Sequence, residues 1–144
     1  MSNPQTFQMC NSLALFAWLL LLIAPKWKWT GRTVLGIIIT LFCLIYIYLL
    51  SGSLNAEDFR NFNSLAGVMQ LFTKEGVVLA GWVHYLAFDL MVGMFILHNS
   101  VKNKIRHWLI IPCLLLCFML GPAGLLLYLV IRLLKTKNYF VLYP

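Results

Sequence analysis

The chain has 144 residues, of which 62% are hydrophobic and only 10% are charged, and its mean hydropathy is +0.87. This composition leaves too little polar surface for a soluble domain and indicates an integral membrane protein. The net charge of +7 does not indicate a nucleic-acid-binding protein, because the eleven lysines and arginines fall in short clusters between apolar runs. Such clusters are typical of topology anchors that meet anionic lipid headgroups.

Four apolar runs predict an all-α integral membrane protein with four transmembrane helices in a bundle. Each run approaches the roughly 20 residues that a tilted helix needs to cross the hydrocarbon core. Little sequence lies outside the runs, so a single domain over residues 1–144 is expected. The first run is followed by a basic, aromatic segment, residues 25–32, that is typical of the headgroup interface. The predicted spans are residues 8–24, 33–50, 77–98 and 108–134.

The first run is predicted to be a retained helix and not a signal peptide. No lysine or arginine precedes it, and no small-x-small cleavage site follows it. No Arg- and Ser-rich transit peptide is recognised either, so we expect a chain that is already mature or, the favoured alternative, a bacterial inner-membrane protein. With four full crossings, the cations of residues 26–32 and 102–106 would share one side and slightly outnumber those on the other. This difference favours a cytoplasmic location for those loops, with both termini outside.

A short amphipathic helix is predicted over residues 64–75, between the second and third spans. Leu65, Val68, Met69 and Phe72 would share one face, and Ser64 or its neighbour Asn63 is a suitable N-cap. We expect this helix to lie on the membrane surface or to act as a lid. A partly ordered loop is the alternative.

The cysteines and histidines do not predict a metal site. All four cysteines lie in apolar runs, where Cys113, Cys117 and Gly121 form a small-residue stripe suited to close helix packing. The three histidines are too few for a di-iron cluster, and a haem would need two axial ligands that face each other. We therefore predict no metal and no other cofactor.

Asp89 is the most informative residue, because it lies near the middle of the third span. A carboxylate at that depth costs about 2.5–3.5 kcal/mol on insertion scales and is rarely found there without a partner or a task. At 100° per residue, Trp82, Tyr85 and Gly93 share its face of the helix, with Tyr85 in hydrogen-bonding range. His84 points to the side and cannot pair with Asp89 on a regular helix.

Two roles for Asp89 stay open. Loss of water favours the neutral acid, so Asp89 and Tyr85 could form a proton-handling pair. Alternatively, the carboxyl ties helices together, for example through Asn11 or Arg132, although Arg132 is expected to extend towards the interface. The Gly121-Pro122 break in the fourth run could free carbonyls that line a cavity, or could serve packing alone.

Several motifs together resemble the abscisic-acid-deficient-4-like family of small membrane proteins. They are Trp-Val-His-Tyr-Leu-Ala-Phe-Asp-Leu at 82–90, Pro-Cys-Leu-Leu at 112–115 and Gly-Pro-Ala-Gly-Leu-Leu-Leu-Tyr at 121–128. Asn11, Trp18 and the segment 25–30 also resemble the family, so the likeness covers nearly the whole chain.

The resemblance implies carotenoid metabolism. Plastid members of the family are required to make neoxanthin from violaxanthin, an epoxide-to-allene isomerisation with no net redox change. Such a reaction needs one proton removed beside the epoxide and one delivered to its oxygen. The implied catalytic residues are Asp89, His84 and Tyr85. The candidate substrate-binding residues are Trp82, Phe88, Asn11, Gly93, Gly121 and Pro122.

We therefore expect a protein that catalyses or assists a non-redox isomerisation of a carotenoid or other isoprenoid lipid. The alternative is a non-catalytic scaffold that binds a lipid or a partner biosynthetic enzyme, with Asp89 as an interhelical contact. A proton-coupled transporter is disfavoured, since the sequence has no internal repeat and few intramembrane polar residues. The expected partners are membrane lipids, an isoprenoid ligand and possible biosynthetic enzymes, and no nucleic acid.

Overall fold

The computed structural model describes residues 2–137, and every regular element within that range is helical. Four helices are long and apolar enough to cross a membrane, which confirms the predicted all-α membrane fold. Helix α2 (Thr40–Ser53) is preceded directly by a π-helical segment, Arg32–Ile39, and helix α3 (Leu65–Leu71) by a 3₁₀ segment, Ala56–Asn63. The α-helices are α1 (Asn3–Ile23), α2 (Thr40–Ser53), α3 (Leu65–Leu71), α4 (Glu75–Lys102) and α5 (His107–Thr136).

Helix α4 is the central element, and α1 runs parallel to it. Phe7 near the start of α1 stacks with Trp82, and Trp18 further along α1 packs at Gly93. A Cβ on Gly93 would fall within 2.8 Å of the Trp18 ring, so the glycine lets the two helices approach closely. Gly93 therefore contributes to helix packing.

Helix α2 runs antiparallel to α4. The Ser53 side chain lies against Gly76 at the start of α4, whereas Gly31 contacts the Met94 side chain near its other end. The π-helical segment that leads into α2 has no counterpart in the sequence prediction, because one extra residue per turn leaves apolar composition unchanged. Its last turn is supported by Thr40 Oγ1, which donates to the Leu35 carbonyl at 3.2 Å.

The connection between α2 and α4 contains the short amphipathic helix that the sequence predicted. Ser64 caps α3 by accepting a hydrogen bond from the Gly67 N–H at 3.1 Å. The helix ends at Leu71, four residues before the predicted end. Its apolar residues Leu65 and Met69 remain exposed, so the protein itself does not cover that face.

Asp58 ties this connection to the start of α4. Its Oδ2 atom accepts from the Asn55 backbone N–H at 2.8 Å and from Lys74 Nζ at 2.7 Å. The Asn55 N–H and the Lys74 ammonium both hold the pKa of the Asp58 carboxyl below its usual range. The pair therefore fixes the entry to α4 with a solvent-exposed contact.

Helix α5 folds back on itself and does not continue straight. Its backbone leaves helical geometry at Leu120 (φ −143°, ψ 48°) and Gly121 (φ 1°, ψ −75°). A Cβ on Gly124 would collide with the Cys117 backbone N–H and with the Cys113 carbonyl. In a straight helix those residues would be about 10 and 16 Å from Gly124 along the axis. The two halves of α5 therefore pack side by side as a helical hairpin.

The positions of the two ends of α5 confirm that the helix folds back. Lys135 near the end of α5 lines the same cavity as Asn103, Arg106 and Leu109 around its start. A straight helix would place Leu109 and Lys135 about 39 Å apart. Both ends of α5 thus lie beside the end of α4, and the turn at Gly121 reaches Asp89 near the midpoint of α4.

Candidate functional site

Asp89 lies against the turn of the α5 hairpin. Its side chain is only 7% exposed, and within the described residues its Oδ2 atom has no hydrogen-bond partner. A Cβ on Gly121 would collide with the carboxylate, so the turn can meet Asp89 only because position 121 has no side chain. The sequence break at Gly121 and the intramembrane charge at Asp89 therefore belong to one site.

Tyr85 joins the same site from one turn earlier on α4. Its hydroxyl donates a hydrogen bond to the Met119 carbonyl at 2.9 Å and also lies beside the Asp89 carboxyl. A break in a helix frees carbonyls in the preceding turn, and in hydrocarbon each needs a new donor. Tyr85 supplies that donor to Met119. The Cys117 thiol of α5 also donates to the backbone carbonyl of Asp89 at 3.6 Å, which joins the two helices at this site.

A cavity of about 360 Å³ opens next to Tyr85, between α1, α4 and the first half of α5. Its rim residues Leu15 and Met119 are 51% and 66% exposed, so the cavity is accessible from the lipid-facing surface. Its walls are mainly apolar, with polar groups at Asn11, Trp82 and Tyr85. The lining residues are Asn11, Ala14, Leu15, Trp82, Tyr85, Leu86, Phe118 and Met119.

Trp82 forms one border of this cavity and is held in place by α1. Its Nε1 donates to Asn11 Oδ1 at 2.8 Å, and its ring lies 5.6 Å from that of Phe7 and 5.5 Å from that of Tyr85. Beyond Trp82 lies a smaller apolar cavity of about 230 Å³, near the start of α4. The larger cavity is lined by Tyr85 and is connected to Asp89 through that side chain; Asp89 itself is not among the lining residues.

Asn11 and Arg132, the two partners that the sequence suggested for Asp89, do not contact its carboxyl in the structure. Asn11 is bonded to Trp82, about two helical turns from Asp89 along α4. Arg132 is buried, contrary to the expected extension towards the interface, and lies near Tyr128. It follows Gly121 by eleven residues of helix, or about 16 Å. The carboxyl instead faces the hairpin turn and Tyr85.

His84 and Phe88 lie on another side of α4. The His84 ring contacts Phe88 at a centroid distance of 4.4 Å and Tyr46 of α2 at 5.5 Å. Both side chains are exposed on the surface of the described chain. Of the three predicted catalytic residues, the structure thus brings Asp89 and Tyr85 together and places His84 apart, as the helical spacing indicated.

Other predicted residues divide between the cavity and helix packing. Asn11 and Trp82 line the cavity, Gly121 contacts Asp89, and Pro122 follows the turn. The sequence prediction missed Phe118 and Met119, because their contact with Tyr85 depends on the register between α4 and α5, which a single sequence does not reveal. Among residues 2–137, no group of three histidine, cysteine, aspartate or glutamate side chains comes together to hold a metal ion.

Comparisons with known proteins agree with the motifs in the sequence. A family model described as ABA DEFICIENT 4-like matches residues 5–128. The chain is also 25% identical over 130 residues to Protein ABA DEFICIENT 4, chloroplastic, from Arabidopsis thaliana. That alignment covers 83% of this chain but 57% of the relative, so the chain spans little more than half of its length. No solved structure matches. Because the family model covers most of the chain, this protein belongs to the ABA DEFICIENT 4-like family.

Proposed function

We propose that the protein catalyses an acid–base isomerisation, without net redox change, of a carotenoid or another isoprenoid lipid. One observation carries the proposal: Tyr85 lines a lipid-accessible cavity, and its side chain interacts with the buried Asp89 carboxyl. The family resemblance supplies the substrate class, through the link of plastid members to neoxanthin synthesis.

The cavity suits one end of a long apolar substrate. Its volume of about 360 Å³ is within the usual range for small-molecule sites, and its open side faces the lipid. A polyene needs only its end group inside, while the rest of the molecule lies along the exposed apolar surface of α1 and α5. Asn11 and Trp82 provide polar groups near the entrance, and Phe118 and Leu86 provide apolar walls.

The proposed chemistry uses Asp89 and Tyr85 as a pair. For an epoxide substrate, the Asp89 carboxylate accepts a proton from the carbon beside the ring, and that electron pair forms a new double bond. The carbon–oxygen bond of the epoxide then breaks, and the Tyr85 hydroxyl delivers a proton to the oxygen. Asp89 returns its proton to Tyr85, so the product is an isomeric alcohol and the enzyme is regenerated.

The proposal is tested with membranes that contain the expressed protein and an epoxy-carotenoid substrate, followed by chromatography of the pigments. Because a general acid or base contributes about 10²–10⁴-fold, Asp89→Asn and Tyr85→Phe should each lower product formation by at least about 100-fold. His84→Gln is the matched control on the same helix and should retain most of the activity. Full activity in Asp89→Asn would contradict the proposed mechanism.

A second candidate is a non-catalytic scaffold that holds the lipid for a partner enzyme. It is favoured by the position of Asp89 in the seam between α4 and α5, where the carboxyl fills the space opposite Gly121. Lipid extraction from the purified protein, with mass spectrometry, separates the two. A copurifying polyene that stays unchanged on incubation supports the scaffold, whereas conversion to an isomer of equal mass supports catalysis.

A further inference from the structure

The hairpin course of α5 gathers positive charge at one end of the molecule. We call this the basic end: it comprises the segment 24–32, the turn between α4 and α5, and the last turns of α5. Pro25 and Lys26 line a cavity there together with Lys104 and His107, and Lys135 lines a second one. All of the eleven lysines and arginines except Arg60 and Lys74 lie at the basic end.

No acidic side chain accompanies these cations. The structure places Glu57, Asp58 and Glu75 at the opposite end of the bundle, and the remaining acidic residue is Asp89 at its middle. The sequence contains no other aspartate or glutamate. No aspartate or glutamate side chain therefore balances the charge of the basic end, and the phosphate groups of a membrane surface are of the matching sign.

One cavity at the basic end combines the groups that a lipid phosphate needs. It has a volume of about 460 Å³ and lies between the turn that joins α4 to α5 and the end of α5. Lys104, Arg106 and Lys135 offer ammonium and guanidinium donors, and Asn103 adds an amide. Trp108 on its edge is 62% exposed, which is typical of an indole at the headgroup level.

The end of α4 places a lysine at the lining of this cavity. Lys104 has φ 55°, in the left-handed region that commonly ends a helix, and the next residue, Ile105, donates its N–H to the Ser100 carbonyl at 2.9 Å. This helix end turns the chain so that Lys104 lines the cavity. The cavity also depends on the hairpin in α5, because a straight helix would carry Lys135 to the opposite end of the bundle.

We propose that this cavity binds the phosphate headgroup of an anionic phospholipid, with Arg106 and Lys135 as its principal donors. The guanidinium of Arg106 is suited to a bidentate contact with two phosphate oxygens, and Lys135 adds a second charge from the other arm of the hairpin. The acyl chains lie along the exposed apolar surface of α5 beside Trp108. This phosphate site is separate from the cavity that Tyr85 lines.

The test is native mass spectrometry of the full-length protein with phosphatidylglycerol, phosphatidylcholine and inorganic phosphate as probes. Arg106→Gln combined with Lys135→Gln should weaken phosphatidylglycerol binding by about 100-fold, because the double variant removes two charge-assisted hydrogen bonds that are each worth about tenfold. The matched control is Lys28→Gln combined with Arg32→Gln. It removes one lysine and one arginine from the same end, outside both cavities, and should bind nearly as the unchanged protein does.

The remaining outcomes each decide the proposal. An equal loss in both double variants would mean diffuse attraction without a site, and would overturn it. Binding of phosphatidylcholine as tight as that of phosphatidylglycerol would also overturn it, and so would equally tight binding of inorganic phosphate. Thermal unfolding of both double variants shows whether either has lost its fold. If the cavity double variant unfolds early, the single variant Lys135→Gln should still give a selective loss, and no loss there overturns the proposal.

Discussion

At the scale of single residues, the contact between Asp89 and Gly121 depends on the absence of one methyl group. A Cβ at position 121 would collide with the carboxylate. Gly121→Ala should therefore destabilise the protein by about 1–3 kcal/mol, the usual cost of overpacking a filled interior. Thermal unfolding in detergent measures the effect, and the same variant should lose activity because the carboxyl is displaced from Tyr85.

Gly36→Ala is the matched control for this substitution. Gly36 also lies in a membrane-spanning helical segment, but a Cβ there meets nothing within 4 Å. Alanine should leave stability unchanged or raise it by up to about 1 kcal/mol, because it restricts the unfolded chain. Equal behaviour of the two alanine variants would show that Gly121 does not face the carboxyl.

The sequence predicted part of this site for a simple reason. Tyr85 and Asp89 belong to one helix, so their spacing of four residues settles their proximity. The same helical periodicity predicted that His84 lies on a different face of α4 from Asp89. The meeting of Asp89 with Gly121 is a contact between two helices, and a single sequence carries no direct signal for the register of such a pair. That contact therefore required the structure.

At the scale of elements, the decisive feature is the hairpin in α5. The two half-helices can approach closely because Gly124 faces Cys113 and Cys117, the small-residue stripe that was noted in the sequence. Length and composition could not distinguish this hairpin from a kinked span, since both contain 30 apolar-rich residues with a Gly-Pro break. The stripe was correctly associated with close packing, but its partner is the second half of the same helix.

Chemical cross-linking tests the hairpin with native residues. Lys104 and Lys135 line one cavity, so a short amine-reactive reagent should join them within one chain, as detected by mass spectrometry of the peptides. Lys74 lies at the other end of the bundle and should not link to Lys135. A straight α5 would give the opposite result, because Lys135 would then lie about 40 Å or more from Lys104.

At the scale of the whole molecule, the hairpin changes the expected topology. With four full crossings both termini would share one side, and the cations would be nearly balanced across the membrane. With α5 folded back, Ser2 and Lys137 lie at opposite ends of the bundle, and nearly all cations lie at the end that contains Lys137. From this distribution the positive-inside rule predicts an orientation with the basic end in the cytoplasm and the start of α1 outside.

Reporter fusions and labelling test this orientation in a bacterial inner membrane. If the basic end is cytoplasmic as predicted, green fluorescent protein fused after Lys137 should fluoresce, whereas alkaline phosphatase fused at the same position should be inactive. A cysteine introduced at Asn61, in the connection before α3, should react with a membrane-impermeant maleimide from outside the cell. The native Cys43 is exposed on α2 at a depth where lipid would surround it, so Cys43→Ser removes any background labelling.

Two other outcomes would contradict this orientation. An active phosphatase fusion together with an unreactive Asn61→Cys would mean that the basic end faces outwards. Reaction at Asn61→Cys with an active phosphatase fusion would mean that both sites lie on one side, and thus that α5 crosses the membrane once.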